Sequence, residues 1–127
     1  MIFGIGTDIV RVTRMEESLN RYGEGFARRI LADQEWPAFL ESRRRAHFLA
    51  KRFAAKEAAV KAMGTGFRNG ITLKQIVVGH EMDGRPLLFF KEQAEEFIHR
   101  NRIGPAHLTL SDEEEYAVAF VTLQYQT

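Results

Sequence analysis

One long segment, from about Arg45 to Met63, constrains the fold of this chain more than any other feature. It is rich in alanine and lysine, which favour helices, and Gly64 follows it directly. Larger apolar residues recur along one of its sides: Phe48, Leu49, Phe53, Val60 and Met63. We therefore predict a long helix that is stopped by a glycine and packs through this apolar side.

Shorter patterns around this segment predict strands and smaller helices. Strands are expected at 2–10, 71–82, 86–90, 107–110 and 116–125, with Asp83-Gly84 as a hairpin turn. Helices are expected at 14–22 with a Thr13–Glu16 capping box, at 26–31, from a cap at Asp33 through Phe39, and at 91–102. We predict an α+β fold with a largely antiparallel sheet, in a single domain over residues 1–127.

Composition excludes several classes of function. The absence of cysteine rules out disulfides, thiolate metal sites and cysteine nucleophiles. A formal net charge of +1 argues against a dedicated RNA-binding domain, although arginines are clustered. The apolar start is short, has no basic leader and reaches Asp8 early, so we expect no secretion signal. No segment approaches membrane-spanning length, and a cytoplasmic protein is expected.

Asp8 stands out because it lies inside an otherwise apolar strand. A carboxylate is costly to bury there unless it is paired or bound to a cation. The alternative is an aspartate at the end of a strand that caps a nearby turn. The residues alone leave both interpretations open.

Glu57 and Lys61 are four residues apart and therefore share a face of the predicted long helix. The simplest interpretation is a surface ion pair worth about 0.3–0.5 kcal/mol. However, Phe53 and Val60 border the same face, which indicates that Glu57 is partly shielded from solvent. An acid in that setting, with a lysine one turn further on, could hold a hard cation and a phosphate together.

Gly64-Thr65-Gly66 follows the long helix and could let a ligand approach the backbone closely. It is not a P-loop, because it lacks the long glycine-to-lysine spacing and follows a helix instead of preceding one. The alternative is a glycine that simply ends the helix.

Taken together, these features resemble the holo-acyl-carrier-protein synthases, the small group of 4'-phosphopantetheinyl transferases. GIGTDIV and RFAAKEAAVKAMGTG are similar to the two signatures of the group, and HFLAKRFAAKEA, FRNG and HLTLSDEEEYAVA also fit. The resemblance implies the 4'-phosphopantetheinyl transferase fold. It also implies a magnesium-dependent enzyme of fatty acid biosynthesis, which moves phosphopantetheine from coenzyme A to a serine of apo-acyl carrier protein.

The resemblance also implies roles for individual residues. Asp8 and Glu57 match the acids that bind Mg²⁺, and Lys61 matches a lysine that contacts the phosphates, so these three are the expected catalytic residues. A further set matches positions that line coenzyme A: Arg52, Lys61, Gly64, Thr65, Gly66, Pro86 and His107. The proton acceptor stays open between Glu57 and a water. Many members carry Ser-His where this chain has Ser111-Asp112, so no histidine acts there.

In relatives the first helix docks the acidic carrier. The resemblance therefore assigns carrier binding to Arg14, Met15, Arg21 and Arg28. The alternative is a solvated basic face whose apolar residues face the core. The arginines at 43–45 either meet the 3'-phosphate of coenzyme A or face water. Relatives form trimers with active sites between subunits, and the alternating residues 117–123 face either an interface or the protomer's own core.

Three other functions remain open at this point. A non-catalytic coenzyme A or nucleotide-binding module would use the glycines and arginines but would not need Asp8 and Glu57. An RNA-binding domain would rely on the arginine clusters. Within the family, the alternative is a transferase for the larger carriers of peptide or polyketide synthesis.

Overall fold

The computed structural model describes residues 1–127 as a mixed α+β fold, as predicted. The strands are β1 (Ile2–Arg11), β2 (Ile76–His80), β3 (Pro86–Phe90), β4 (Ile103–Asp112) and β5 (Tyr116–Tyr125). The α-helices are α1 (Val12–Tyr22), α2 (Glu24–Ile30), α3 (Trp36–Glu41), α4 (Arg45–Met63) and α5 (Glu92–Arg100). Short 3-10 helices span Asp33–Glu35 and Leu73–Gln75. No helix combines the length and apolar character that crossing a bilayer would require.

All strand pairs are antiparallel, which confirms that part of the prediction. β1, β5 and β4 form one sheet in that order, and β2 and β3 form a separate hairpin. The turn of this hairpin includes Asp83-Gly84, as predicted, and is closed by a hydrogen bond from the Glu81 amide to the Arg85 carbonyl. α4 packs across β1 and β5 and forms the centre of the structure.

The helix α4 lies unusually close to β1 because two glycines of the strand face it. A Cβ atom on Gly4 would lie 2.0 Å from the Ala62 carbonyl oxygen, and one on Gly6 would lie 2.0 Å from that of Ala58. Since neither distance is physically possible, only glycine permits this packing. The alanines of α4 complete the contact, so the helix is buried on more sides than the predicted apolar stripe implies.

The alternating residues of β5 face the protomer's own core. Ala117, Ala119, Val121 and Leu123 are fully buried. The opposite face of the sheet, which we call the outer face, exposes Ile5, Ile9 and Phe120 by 59%, 61% and 43%. The sequence pattern could not distinguish these two faces.

Several predicted helix starts are wrong. α1 begins at Val12 after Arg11, with no side-chain cap, so Thr13 and Glu16 lie inside the helix and form no capping box. Asp33 does not cap a helix either, because it begins a 3-10 helix whose preceding residue is Ala32. The ends were easier to predict: Gly23 and Gly64 both adopt positive φ angles immediately after a helix.

The strand predicted over 71–82 is wrong in its first part. A 3-10 helix occupies Leu73–Gln75, and the strand begins only at Ile76. The Gln75 amide explains the difference, since it donates to the Gly70 carbonyl and accepts from the Ala94 amide, 2.8 and 3.1 Å away. β4 is longer than predicted, and the turn that follows it lies at 113–115 instead of 111–114.

Three charged side chains form a network inside the core. The carboxylate of Glu35, 1% exposed, lies 2.5 Å from Lys56 Nζ and 3.0 Å from Arg52 Nη1. It also accepts hydrogen bonds from the backbone amides of Ala32 and Val78. Burial lowers the pKa of Lys56, an effect that Glu35 opposes. The network therefore ties the segment before α3 to both α4 and β2.

Candidate active site

Asp8 points from β1 towards α4, where it meets Lys61. The side chain is 16% exposed, and its Oδ1 atom lies 3.0 Å from Lys61 Nζ. The same ammonium donates to the Thr7 carbonyl at 3.0 Å. Asp8 is therefore paired with a cation instead of capping a turn.

Glu57 lies one turn before Lys61 on α4 and is half-buried. Its pKa is raised, first by burial and then by the negative charge of Asp8, while Lys61 and Arg14 act in the opposite direction. The two carboxylates are thus close enough to repel each other. The simple Glu57–Lys61 surface pair is not the arrangement observed, since Lys61 bonds to Asp8.

This pair of carboxylates fits the requirements of Mg²⁺. A divalent cation would relieve both the repulsion and the burial cost at Glu57. No histidine or cysteine, and no further aspartate or glutamate, joins the pair as a third possible ligand. That number suits Mg²⁺, which commonly takes one or two protein carboxylates and completes its octahedron with waters and substrate phosphates.

Replacing Glu57 with glutamine should stabilise the protein when no metal is present. Folding raises the pKa of Glu57, so the folded state binds more protons than the unfolded state. The stability of the wild type therefore falls as pH rises from the pKa of Glu57 in the unfolded state to its higher pKa in the folded state. Glutamine removes this charge. In EDTA at pH 7, the melting temperature of the variant should therefore exceed that of the wild type, and the difference between the two should be smaller at pH 4. Magnesium should stabilise only the wild type. If Glu57→Gln has the same melting temperature as the wild type in EDTA at pH 7, the folded state does not disfavour the charge of Glu57.

The loop 64–66 behaves as a helix stop. Gly64 and Gly66 have φ angles of 79° and 61°, and the amides of Gly64, Thr65 and Gly66 all approach the Val60 carbonyl. These amides are therefore occupied within the protein instead of forming a phosphate cradle. A Cβ atom at Gly64 or Gly66 would meet nothing within 4 Å, so the outer side of the loop is open. Contact with coenzyme A stays a prediction for all three residues.

The other predicted coenzyme A residues do not gather around Asp8 and Glu57 in one protomer. Arg52 is buried, and its Nη1 atom donates to Glu35 and to the Val78 carbonyl. Pro86 begins β3 in the separate hairpin. His107 lies on the outer face, where Nε2 is 2.8 Å from Gln124 Oε1, whereas Asp8 faces α4.

The predicted carrier-binding residues are divided between surface and core. Arg14, Arg21 and Arg28 are exposed, and Arg14 lies near enough to influence Glu57. Met15 is 3% exposed and packs in the core, which does not support direct carrier contact. Of the arginines at 43–45, Arg44 bonds to Glu114, and Arg45 covers the Phe39 ring.

Sequence reasoning missed a groove whose wall includes Phe53, one helical turn before Glu57. It lies between α1, α2 and α4, has a volume of about 300 Å³, and includes Arg14, Ser18, Phe26 and Phe53 in its walls. The position of Phe53, one helical turn before Glu57, indicated one wall of the groove. The other walls come from two further helices, so the groove appears only once these helices pack together.

Comparison with known proteins establishes the class to which this fold and site belong. A model of the 4'-phosphopantetheinyl transferase superfamily matches residues 4–121, so the chain belongs to that superfamily. Within it, the relatives are holo-[acyl-carrier-protein] synthases. The synthase of Halorhodospira halophila is 55% identical over 97% of this chain and 98% of its own.

Solved structures agree with this placement. The holo-[acyl-carrier-protein] synthase from Neisseria meningitidis matches with a TM-score of 0.92 and 40% identity, over 98% of this chain and 99% of that one. The synthase from Bacillus anthracis, solved in complex with CoA (3',5'-ADP), gives a TM-score of 0.82 and 34% identity over 99% of each chain. The fold and enzyme class predicted from the sequence are confirmed.

Proposed function

We propose that this protein transfers 4'-phosphopantetheine from coenzyme A to a serine of apo-acyl carrier protein, releasing adenosine 3',5'-bisphosphate. The observation that carries the proposal is the pairing of Asp8 on β1 with Lys61 on α4, next to a Glu57 whose charge both burial and Asp8 disfavour. Holo-acyl carrier protein is the product, and fatty acid biosynthesis is the process it supports. A cytoplasmic location stays a prediction from the sequence.

The residues of this chain have distinct tasks in the proposed reaction. The serine oxygen attacks the β-phosphorus of coenzyme A, and phosphoryl transfer of this type depends on positioning and on neutralising negative charge. Asp8 and Glu57 would hold Mg²⁺, which supplies positive charge beside the diphosphate. Lys61, with half of its side chain exposed, can turn its ammonium towards the same oxygens. The exposed arginines of α1 and α2 attract the acidic carrier.

The direct test is mass spectrometry of an apo carrier incubated with coenzyme A, magnesium and this protein. A serine-linked gain of phosphopantetheine supports the proposal. A non-catalytic coenzyme A-binding module would bind the nucleotide and leave the carrier unmodified. Offering apo carriers from fatty acid, polyketide and peptide synthesis to the enzyme separates the acyl-carrier-specific activity from a broader one.

A homotrimer with active sites between subunits is the assembly that we propose. The exposed apolar outer face supports it, since large apolar patches on a surface commonly mark interfaces. His107 lies on that face, away from α4, so a neighbouring subunit would be needed to bring the predicted coenzyme A residues together.

Placing a charge at Ile9 should therefore dissociate the assembly. We expect light scattering to give a mass three times that of the 14.6 kDa chain for the wild type, and a single chain for Ile9→Glu. Transfer activity should fall with assembly. Met82→Glu is the control, because Met82 is fully exposed at the hairpin tip, away from the outer face. A wild-type monomer with full activity would contradict the shared site.

A further inference from the structure

The exposed guanidinium of Arg28 rests on an aromatic ring that is itself held by the core. Arg28 lies in the last turn of α2, and its Cζ atom is 3.9 Å from the centre of the Trp36 ring. This is the shortest of the arginine–aromatic contacts in the structure. A cation over the face of tryptophan is the most favourable combination of this kind.

Trp36 can act as a rigid platform because its neighbours are buried. Its ring centre is 4.9 Å from that of Phe39, which is fully buried and packs against Phe48. Trp36 also follows Glu35 directly, and the buried network fixes that residue. Arg21 makes a looser contact, since its Cζ atom is 5.4 Å from the centre of the Tyr22 ring, and Tyr22 is 62% exposed. Arg28 is thus the more firmly supported of the two.

A guanidinium that contacts a ring through its face keeps its edge available to a partner. The N–H donors of arginine lie in the plane of the group, so contact through its face does not consume them. The supported side chain can therefore still donate two parallel hydrogen bonds to a carboxylate or phosphate. Because its position is restricted before binding, less side-chain entropy is lost when a partner docks.

We propose that Trp36 is a positioning residue for docking of the acidic carrier, acting by holding Arg28 with its donors facing outward. This inference rests on the proposed function, and it concerns the affinity for the carrier, not the chemistry at Asp8 and Glu57. It assigns a role in carrier recognition to a side chain on α3, outside the basic first helix.

Steady-state kinetics of Trp36→Leu test the proposal. Loss of one preordered arginine should raise KM for the apo carrier about two- to tenfold. The kcat value and the KM for coenzyme A should stay unchanged. Trp36→Phe keeps an aromatic face and should restore most of the carrier affinity. An equal rise in the KM for coenzyme A would indicate general structural damage and would overturn the proposal.

A double-mutant comparison assigns the effect to Arg28. In an Arg28→Ala background, Trp36→Leu should have no further effect on KM for the carrier. In an Arg21→Ala background, which removes the same charge nearby, Trp36→Leu should keep its full effect. If Trp36→Leu raises KM for the carrier by the same factor in both backgrounds, the proposal is overturned. If the wild type modifies no apo carrier, the proposed function itself fails; if it does and the effects simply add, only this inference fails.

Trp36 is the only tryptophan of the chain, so its fluorescence gives a readout that needs no change at position 36. Acrylamide should quench the emission less once apo carrier binds the wild type, because a docked Arg28 stays over the ring. Arg28→Ala should remove this protection. Unchanged quenching at saturating carrier would overturn the proposal.

Discussion

Glu57→Gln is expected to slow transfer to the apo carrier by about 10²–10³-fold at saturating magnesium, the range seen when one fixed electrostatic stabiliser is lost. Glutamine keeps the shape of the side chain but lacks the charge that would hold a divalent cation beside Asp8. The rate is measured as phosphopantetheine-loaded carrier over time. Circular dichroism shows whether the variant is folded, and the metal-free stabilisation expected for it argues against misfolding as the cause.

Glu95→Gln serves as the matched control. Glu95 is exposed on α5, so the same chemical change there should leave the rate within about twofold, since surface substitutions are usually small in effect. A Glu57→Gln rate near that of the wild type at saturating magnesium would remove Glu57 from the metal site. Coenzyme A binding without turnover in the wild type would instead favour the non-catalytic module.

Glu35→Gln is expected to lower the free energy of unfolding by about 3–5 kcal/mol, the cost of breaking a buried ion pair. The change leaves Lys56 and Arg52 as buried cations without a counter-charge, while the side chain keeps its size. Denaturation in urea measures the difference, with an unchanged slope indicating an unchanged unfolded state.

Two further variants test whether the loss of stability comes from the unpaired buried cations. Glu41→Gln changes an exposed glutamate of α3 and should cost less than about 0.5 kcal/mol. Adding Lys56→Met to Glu35→Gln should restore part of the lost stability, because one unpaired cation is removed. If Glu35→Gln costs no more than Glu41→Gln, the network does not stabilise the fold.

The extent of the long helix could be predicted from the sequence, because its alanine-rich composition and terminal glycine depend on local physics. The shared helix face of Glu57 and Lys61 followed from their four-residue spacing. The proximity of Asp8 to both came from the resemblance and not from local patterns, since a strand and a helix must pack before these residues meet. The buried network was not predicted. Lys56 stands in a charged stretch that looks solvent-exposed, and its partner Glu35 is distant in the chain.

The packing of α4 on β1 has a consequence for how catalysis can fail. The spacing between Asp8 and the residues of α4 depends on two positions, Gly4 and Gly6, that carry no functional group. A single methyl group at Gly6 would act as a wedge between strand and helix and would separate Asp8 from Glu57 and Lys61. In this fold, an enzyme with every reactive side chain intact can therefore lose its active-site geometry through the addition of one carbon atom.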